Sequence, residues 1–243
     1  MKRFDKADDP RRRLLIQALA AGLFSAGLPA QAQVFGSRPA RLPAGQSIYR
    51  ISGQVTVNQN PATLETRINP GDTVQTGKGS EIVFVINDHS TIMRGDSQLV
   101  IESQPEPAPS TSLLVSGLRL LTGKLLSVSR GRQFQVTTNT ATIGIRGTGF
   151  YAETDPDETY FCLCYGSAEV AALNDPSSTE TIVTKQHDRP LYIAGSADPG
   201  RSIRNAPFVN HTDQELALIE TLVGRTPPFV FPKDIYQAPR REY

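Results

Sequence analysis

Few residues in this chain offer thiolate or imidazole donors, the ligands that soft and borderline metals prefer: two cysteines and three histidines among 243 residues. Cys162 and Cys164 stand two apart in Tyr-Phe-Cys-Leu-Cys-Tyr (160–165), an aromatic and apolar run that reads as a strand. Side chains two apart on a strand share a face, so the two sulfurs sit side by side. A disulfide across one residue is strained against ordinary bridge geometry, although export to an oxidising compartment would favour oxidation. Two thiolates on one face also make half of a soft-metal site. The other half is available from His187, in Gln186-His187-Asp188 after a strand, and His211, in Asn210-His211-Thr212-Asp213 before a helix. Asp188 and Asp213 stand close enough in sequence to orient the two imidazoles. The expected donor set is Cys162, Cys164, His187 and His211, for zinc, copper or haem iron. Its spacing is not that of a zinc finger. The competing reading keeps the cysteines as small strand residues or a bridge and leaves both histidines at the surface.

Other chemistry is poorly supported. No nucleophile elbow or paired-carboxylate motif is present, so the chain reads as a non-enzyme. Gly147-Thr148-Gly149-Phe150-Tyr151-Ala152 has the form Gly-x-Gly-x-x-Ala, but a dinucleotide fingerprint needs a helix after the glycines. Here the chain runs on in strand style to Asp155-Pro156, so the glycines serve tight turns or close backbone approach.

The N-terminal residues read as a secretory leader over 1–32. Arg11, Arg12 and Arg13 precede an apolar run over 14–28, and Ala30 and Ala32 occupy the small-residue positions before a cleavage point after Ala32. Pro10-Arg11-Arg12-Arg13-Leu14-Leu15 resembles a twin-arginine signal, with an ordinary Sec signal as the alternative. The run is too short for a membrane span, so the mature chain is not expected to be an integral membrane protein. The leader holds six basic and three acidic residues. Its removal turns a net charge of +1 into 19 basic against 21 acidic, or −2. Such a chain has no global attraction to nucleic acid.

A linker at 33–45 leads into many short runs rich in Val, Ile and Thr, separated by turns such as Asn69-Pro70-Gly71-Asp72 and Asn87-Asp88. Strands are expected near 81–86, 90–93, 98–102, 113–121, 124–128, 133–137, 142–145, 149–153, 159–165, 168–173, 181–184 and 191–193. The alternate prolines of 103–111 should bridge strands rather than form one. The pattern predicts an all-β fold: a sandwich, roll or short solenoid over 46–195. A C-terminal extension, 196–243, carries one helix over 213–223. Thr212 and Glu215 form its capping box, and Leu216, Ile219 and Val223 its apolar stripe.

Two stretches resemble the FecR-domain family. The first is Asn69-Pro70-Gly71-Asp72-Thr73-Val74-Gln75-Thr76-Gly77-Lys78-Gly79-Ser80 with the following run and turn to Ser90, in which His89 replaces a turn glycine. The second runs from Leu120-Leu121-Thr122-Gly123-Lys124 through Phe134-Gln135-Val136-Thr137-Thr138 to Ile143-Gly144-Ile145-Arg146-Gly147-Thr148-Gly149-Phe150. The likeness covers roughly 45–172. It implies a periplasmic all-β module that binds, scaffolds or relays signals in the cell envelope, with an envelope protein or glycan as partner. Arg146 and Thr148 of the Arg-Gly-Thr motif are the binding candidates. Signal-relay members carry an anti-sigma segment and a membrane span ahead of this domain. Residues 1–13 are too few to supply such a segment, so that activity is not expected here.

Overall fold

A computed structural model describes residues 41–106, 113–129, 133–226 and 228. The leader at 1–32, most of the linker, residues 107–111 of the proline-rich loop and the tail from 229 lie outside the described residues.

The first half of the chain forms β1 (Ile48–Ser52), β2 (Val55–Val57), β3 (Asn60–Pro61), β4 (Thr73–Thr76), β5 (Glu81–Ile86), β6 (His89–Met93) and β7 (Ser97–Pro105). Then follow β8 (Leu113–Val128), β9 (Gln133–Thr137), β10 (Ala141–Thr154), β11 (Glu158–Ala172), β12 (Thr179–Thr184), β13 (Leu191–Ala194) and β14 (Ile203–Asn205). Among the described residues one helix, α1 (Asp213–Leu222), follows. The fold is thus all-β with a C-terminal helix.

All strands belong to one sheet, antiparallel except for the β8–β9 pair. Its long strands change partners midway. β8 pairs with β7 up to Thr122 and with β6 over Leu125–Val128. β10 pairs with β9 in its first half and β8 in its second. β11 pairs with β13 at its start and β12 at its end. The sequence pattern divides β8, β10 and β11 into two strands each, at Gly123, Arg146–Gly149 and Gly166. The structure joins them. Between Arg146 and Gly149 the register against β11 shifts, and Gly147 there has φ 55°, so a bulge absorbs the irregularity without ending the strand. Strand β7 likewise continues through Ser103–Pro105, where a loop was expected. Pro105, near the strand's end, costs the ladder no more than one hydrogen bond.

Side-chain alternation splits the interior into two layers. Ile82, Phe84, Met93, Leu125, Phe150, Phe161 and Leu163 face an inner core enclosed by the sheet. Their neighbours Val83, Ile92, Leu126, Val128, Tyr151, Tyr160, Cys162 and Cys164 face the opposite side. That outer face would meet water, but α1 covers it with Leu216, Ile219, Leu222 and Val223. Burial on both faces explains why 81–86 and 160–165 read as continuous apolar runs rather than alternating ones.

Helix α1 starts where its capping box predicts. Glu215 N–H donates to Thr212 Oγ1 at 3.2 Å, and Thr212 N–H donates to the Glu215 carboxylate at 3.0 Å. Gly224, with φ 72°, follows its end.

Candidate metal centre

The outer layer holds the two sulfurs. Strand periodicity turns Cys162 and Cys164 to the same side of β11, under the C-terminal segment, and neither is exposed. They are free thiols. His187 arrives from the loop between β12 and β13. Its backbone takes a left-handed φ of 49°, and its N–H donates to Cys164 O at 3.1 Å. A non-glycine residue in that conformation costs roughly 1–2 kcal/mol, so the ring is placed against a local preference. His211 immediately precedes the helix cap, after Asn210, which also has positive φ at 66°.

These side chains converge. Cys162 Sγ lies 3.6 Å from His187 Nδ1, and Cys164 Sγ lies 3.6 Å from His211 Nε2. The two ring nitrogens are 3.2 Å apart. One donor atom from each of Cys162, His187 and His211 falls within a 4.8 Å cluster. The remaining nitrogen of each ring points outward to an oxygen. His187 Nε2 meets Asp213 Oδ1 at 2.8 Å, and His211 Nδ1 meets Val209 O at 2.8 Å. With both rings neutral and donating to those oxygens, His187 Nδ1 and His211 Nε2 carry the lone pairs, both aimed inward.

A ring of aromatic side chains walls off the cluster. Tyr151 stacks on His211 with centroids 4.5 Å apart, and Phe208 packs on His187 at 4.4 Å and His211 at 4.7 Å. Tyr160 ties down the strap carrying Phe208, donating from Oη to Pro207 O at 3.0 Å and accepting from Val209 N–H at 3.2 Å. Arg94 fixes the next residues: its guanidinium donates to Asn210 O and pairs with Glu215 at 2.8 Å.

The electrostatics follow from this packing. Burial pushes the Cys162 thiol up, but hydrogen bonds from Cys164, His187 and His211 outweigh it and hold that thiol well below its ordinary value. Burial raises Cys164, as do its hydrogen bond to Cys162 and the Cys162 charge. Burial opposes charge on His187, yet its bonds to Asp213 and Cys162 carry it up to about 9. Asp213 is lowered: burial opposes its charge, but its partner His187 more than compensates. The packing therefore favours charge on Cys162 and His187 and disfavours it on Cys164.

Cys162–His187–Asp213 is also the order of an activated thiol nucleophile, its base oriented by a carboxylate. A nucleophile must meet a substrate, and Cys162 is 0% exposed. The two cavities described, of about 770 and 120 Å³, lie along a different stretch of β10 and β11, around Gly144, Glu169 and Thr181.

Cys162, His187 and His211 thus share one cluster, Cys164 touches it through His211, and Asp213 takes the orienting role for His187. Asp188 does not. Its carboxylate accepts from the N–H groups of Lys185 and Gln186, capping the turn before His187. Of the two binding candidates, Arg146 is exposed and lines the smaller cavity. Thr148 is 0% exposed, so it offers no surface to a partner. Its methyl group sits against Gly166, where a Cβ would approach it to 2.4 Å. Tyr151 and Phe208 belong to the site but were not singled out from the sequence. For Tyr151 a signal existed: counting back from the Asp155–Asp157 turn pairs it with Cys162, as the register does.

Residues 72–169 match the profile of the family described as FecR protein. No curated protein matches the chain. Among solved structures, the chain is similar to two crystal structures, at 2.50 and 1.65 Å, of a candidate anti-sigma factor from Parabacteroides distasonis ATCC 8503. In each comparison identity is 14%, the TM-score is 0.41, and the likeness covers 55% of this chain and 58% of that one. Cys162 and Cys164 lie inside the matched family region, whereas His187 and His211 lie beyond it.

Proposed function

Taking as premise that this chain carries a FecR domain over residues 72–169, we propose that it is an envelope protein acting by binding and signal relay, without catalysis. Its ligand is a transition-metal ion held by Cys162, Cys164, His187 and His211. The leader at 1–32 places the mature chain outside the cytoplasm, where an envelope protein or glycan is its partner.

The observation that carries the metal reading is the spacing of the donors. Tetrahedral zinc with bonds of about 2.0–2.1 Å to nitrogen and about 2.3 Å to sulfur requires nitrogen–nitrogen edges of about 3.3 Å and nitrogen–sulfur edges of about 3.6 Å. Three of the six edges of such a tetrahedron are present here, at 3.2, 3.6 and 3.6 Å. Both imidazoles are tethered through their other nitrogen, as metal-bound histidines are. Two sulfurs with two nitrogens suit zinc or copper. Haem iron draws its equatorial donors from the macrocycle, so four convergent protein donors argue against it. Ligation by all four would require both sulfurs and both inward nitrogens to be free of protons, so binding would be weakened by acid.

The test is the metal content of the full chain purified from the periplasm. One equivalent of zinc or copper per chain is expected. Cys162→Ser and His211→Ala should each lose most of it while keeping the far-ultraviolet spectrum of a β protein. A chain that carries no stoichiometric metal and takes up none on titration, or variants that keep it, would sink this reading.

A further inference from the structure

We propose that the bound ion locks the C-terminal segment 206–225 onto the outer face of the sheet, so that metal occupancy decides whether that face is covered. This rests on the metal reading above.

The segment has no strand ladder to hold it. Among the described residues, its backbone bonds to the rest of the chain are Ala206 N–H to Pro190 O at 2.8 Å and Leu42 N–H to Leu222 O at 3.2 Å. Side chains do the remainder. Leu216, Ile219, Leu222 and Val223 lie on Val83, Ile92, Leu126 and Val128. Glu220, 1% exposed, accepts from Tyr165 Oη and pairs with Arg225 at 2.7 Å, and Arg225 donates to Ser129 O at 3.1 Å.

The donor set is divided across this junction. Cys162 and Cys164 belong to β11 of the sheet, and His187 belongs to the turn after β12. His211 belongs to the segment, one residue before the helix cap. Asp213, the first residue of α1, holds His187 from the segment's side. An ion bound by all four joins three stretches of chain at the point where the segment enters its helix. Undocking the segment must remove His211 and Asp213 together. The ion therefore binds the docked form far better than the undocked one, and linkage converts that preference into stabilisation of docking. The burial of the site completes the device. A four-donor set sealed by Tyr151 and Phe208 leaves no open coordination position, the pattern of a structural ion rather than a catalytic one. The inner core draws nothing from the segment, so it survives undocking.

The experiment is amide hydrogen exchange on the full chain, loaded with Zn2+ and then stripped by a chelator, with bound zinc measured on the same samples. At free Zn2+ a hundredfold above its Kd, the docked state gains ~100-fold over the undocked one. Amides of 214–223 should therefore exchange ~100-fold faster after stripping, while those of β4 and β7 are unchanged. Cys164→Ser, which alters only the sheet's side of the junction, should loosen 214–223 in the same way. Zn2+ bound at one equivalent with no change in 214–223 on stripping overturns the lock and leaves the metal reading intact. Equal loss of protection in β4, β7 and α1 also overturns it, since the ion would then support the whole fold. Absence of Zn2+ binding defeats the metal reading, and the lock with it.

Discussion

Gly149 of β10 lies directly beneath Leu216 of the helix, and replacing it with alanine tests how the segment is seated. A Cβ built there would lie 2.8 Å from Tyr165 Cε1 and 2.9 Å from Leu216 Cδ1. Its backbone is not left-handed, so the cost is one of space rather than conformation. Leu216 is 0% exposed, and the Tyr165 ring is tied to Glu220, so neither moves aside freely. Overpacking of this kind costs about 1–3 kcal/mol. Leu216→Ala alone, leaving a cavity, should cost about 2–5 kcal/mol. The pair is more informative than either alone. Removing the Leu216 methyl groups relieves one of the two clashes, so the double variant should lose less than the sum, by at least about 0.5 kcal/mol. The Tyr165 clash persists, so the rescue is partial. Urea unfolding of the four proteins in metal-free buffer, compared through their midpoints and slopes, gives these differences. A neutral Gly149→Ala, or strictly additive losses, would refute the seating described here.

His89 gives a pH signature of opposite sign to that of His187. Burial and the nearby Arg225 charge outweigh Asp88 and bring its folded-state value down to about 4. Below the unfolded value of about 6.5, the unfolded chain takes a proton that the folded chain refuses. Stability should therefore fall as pH drops from 6.5 towards 4, by at most about 3 kcal/mol. His89→Asn should flatten that slope in urea unfolding between pH 7 and 5; an unchanged slope contradicts the burial of the ring. Asp213→Asn keeps the shape of the group that orients His187 but removes its charge, and should weaken Zn2+ binding by roughly 10–100-fold in competition with a chelating dye. An affinity equal to that of the parent chain would remove Asp213 from the site.

Much of this site was legible in the residues. The period of a strand places Cys162 and Cys164 on one face wherever the strand runs, and the capping box fixes the start of the helix at Thr212. His187 and His211 were the histidines left to complete a donor set. Their meeting depends on the C-terminal segment crossing β11, which no local pattern encodes. The same crossing decides between Asp188 and Asp213. Both stand near a histidine in sequence, but only Asp213 reaches His187, from a different element, while Asp188 is spent capping its own turn. The long strands escaped for another reason. Bulges and turn-like glycines at Gly123, Gly147 and Gly166 look like strand ends when read locally. Only the cross-strand register shows that the ladder continues past them. Burial on both faces also erased the alternation that would have marked 160–165 as lying between two layers.

If two sulfurs and two imidazole nitrogens surround one ion, X-ray absorption at the metal edge, on the full chain purified from the periplasm, will see all four. Two sulfur scatterers at about 2.3 Å and two nitrogen scatterers at about 2.0–2.1 Å are expected. A shell of oxygen and nitrogen alone, without sulfur, would contradict this donor set.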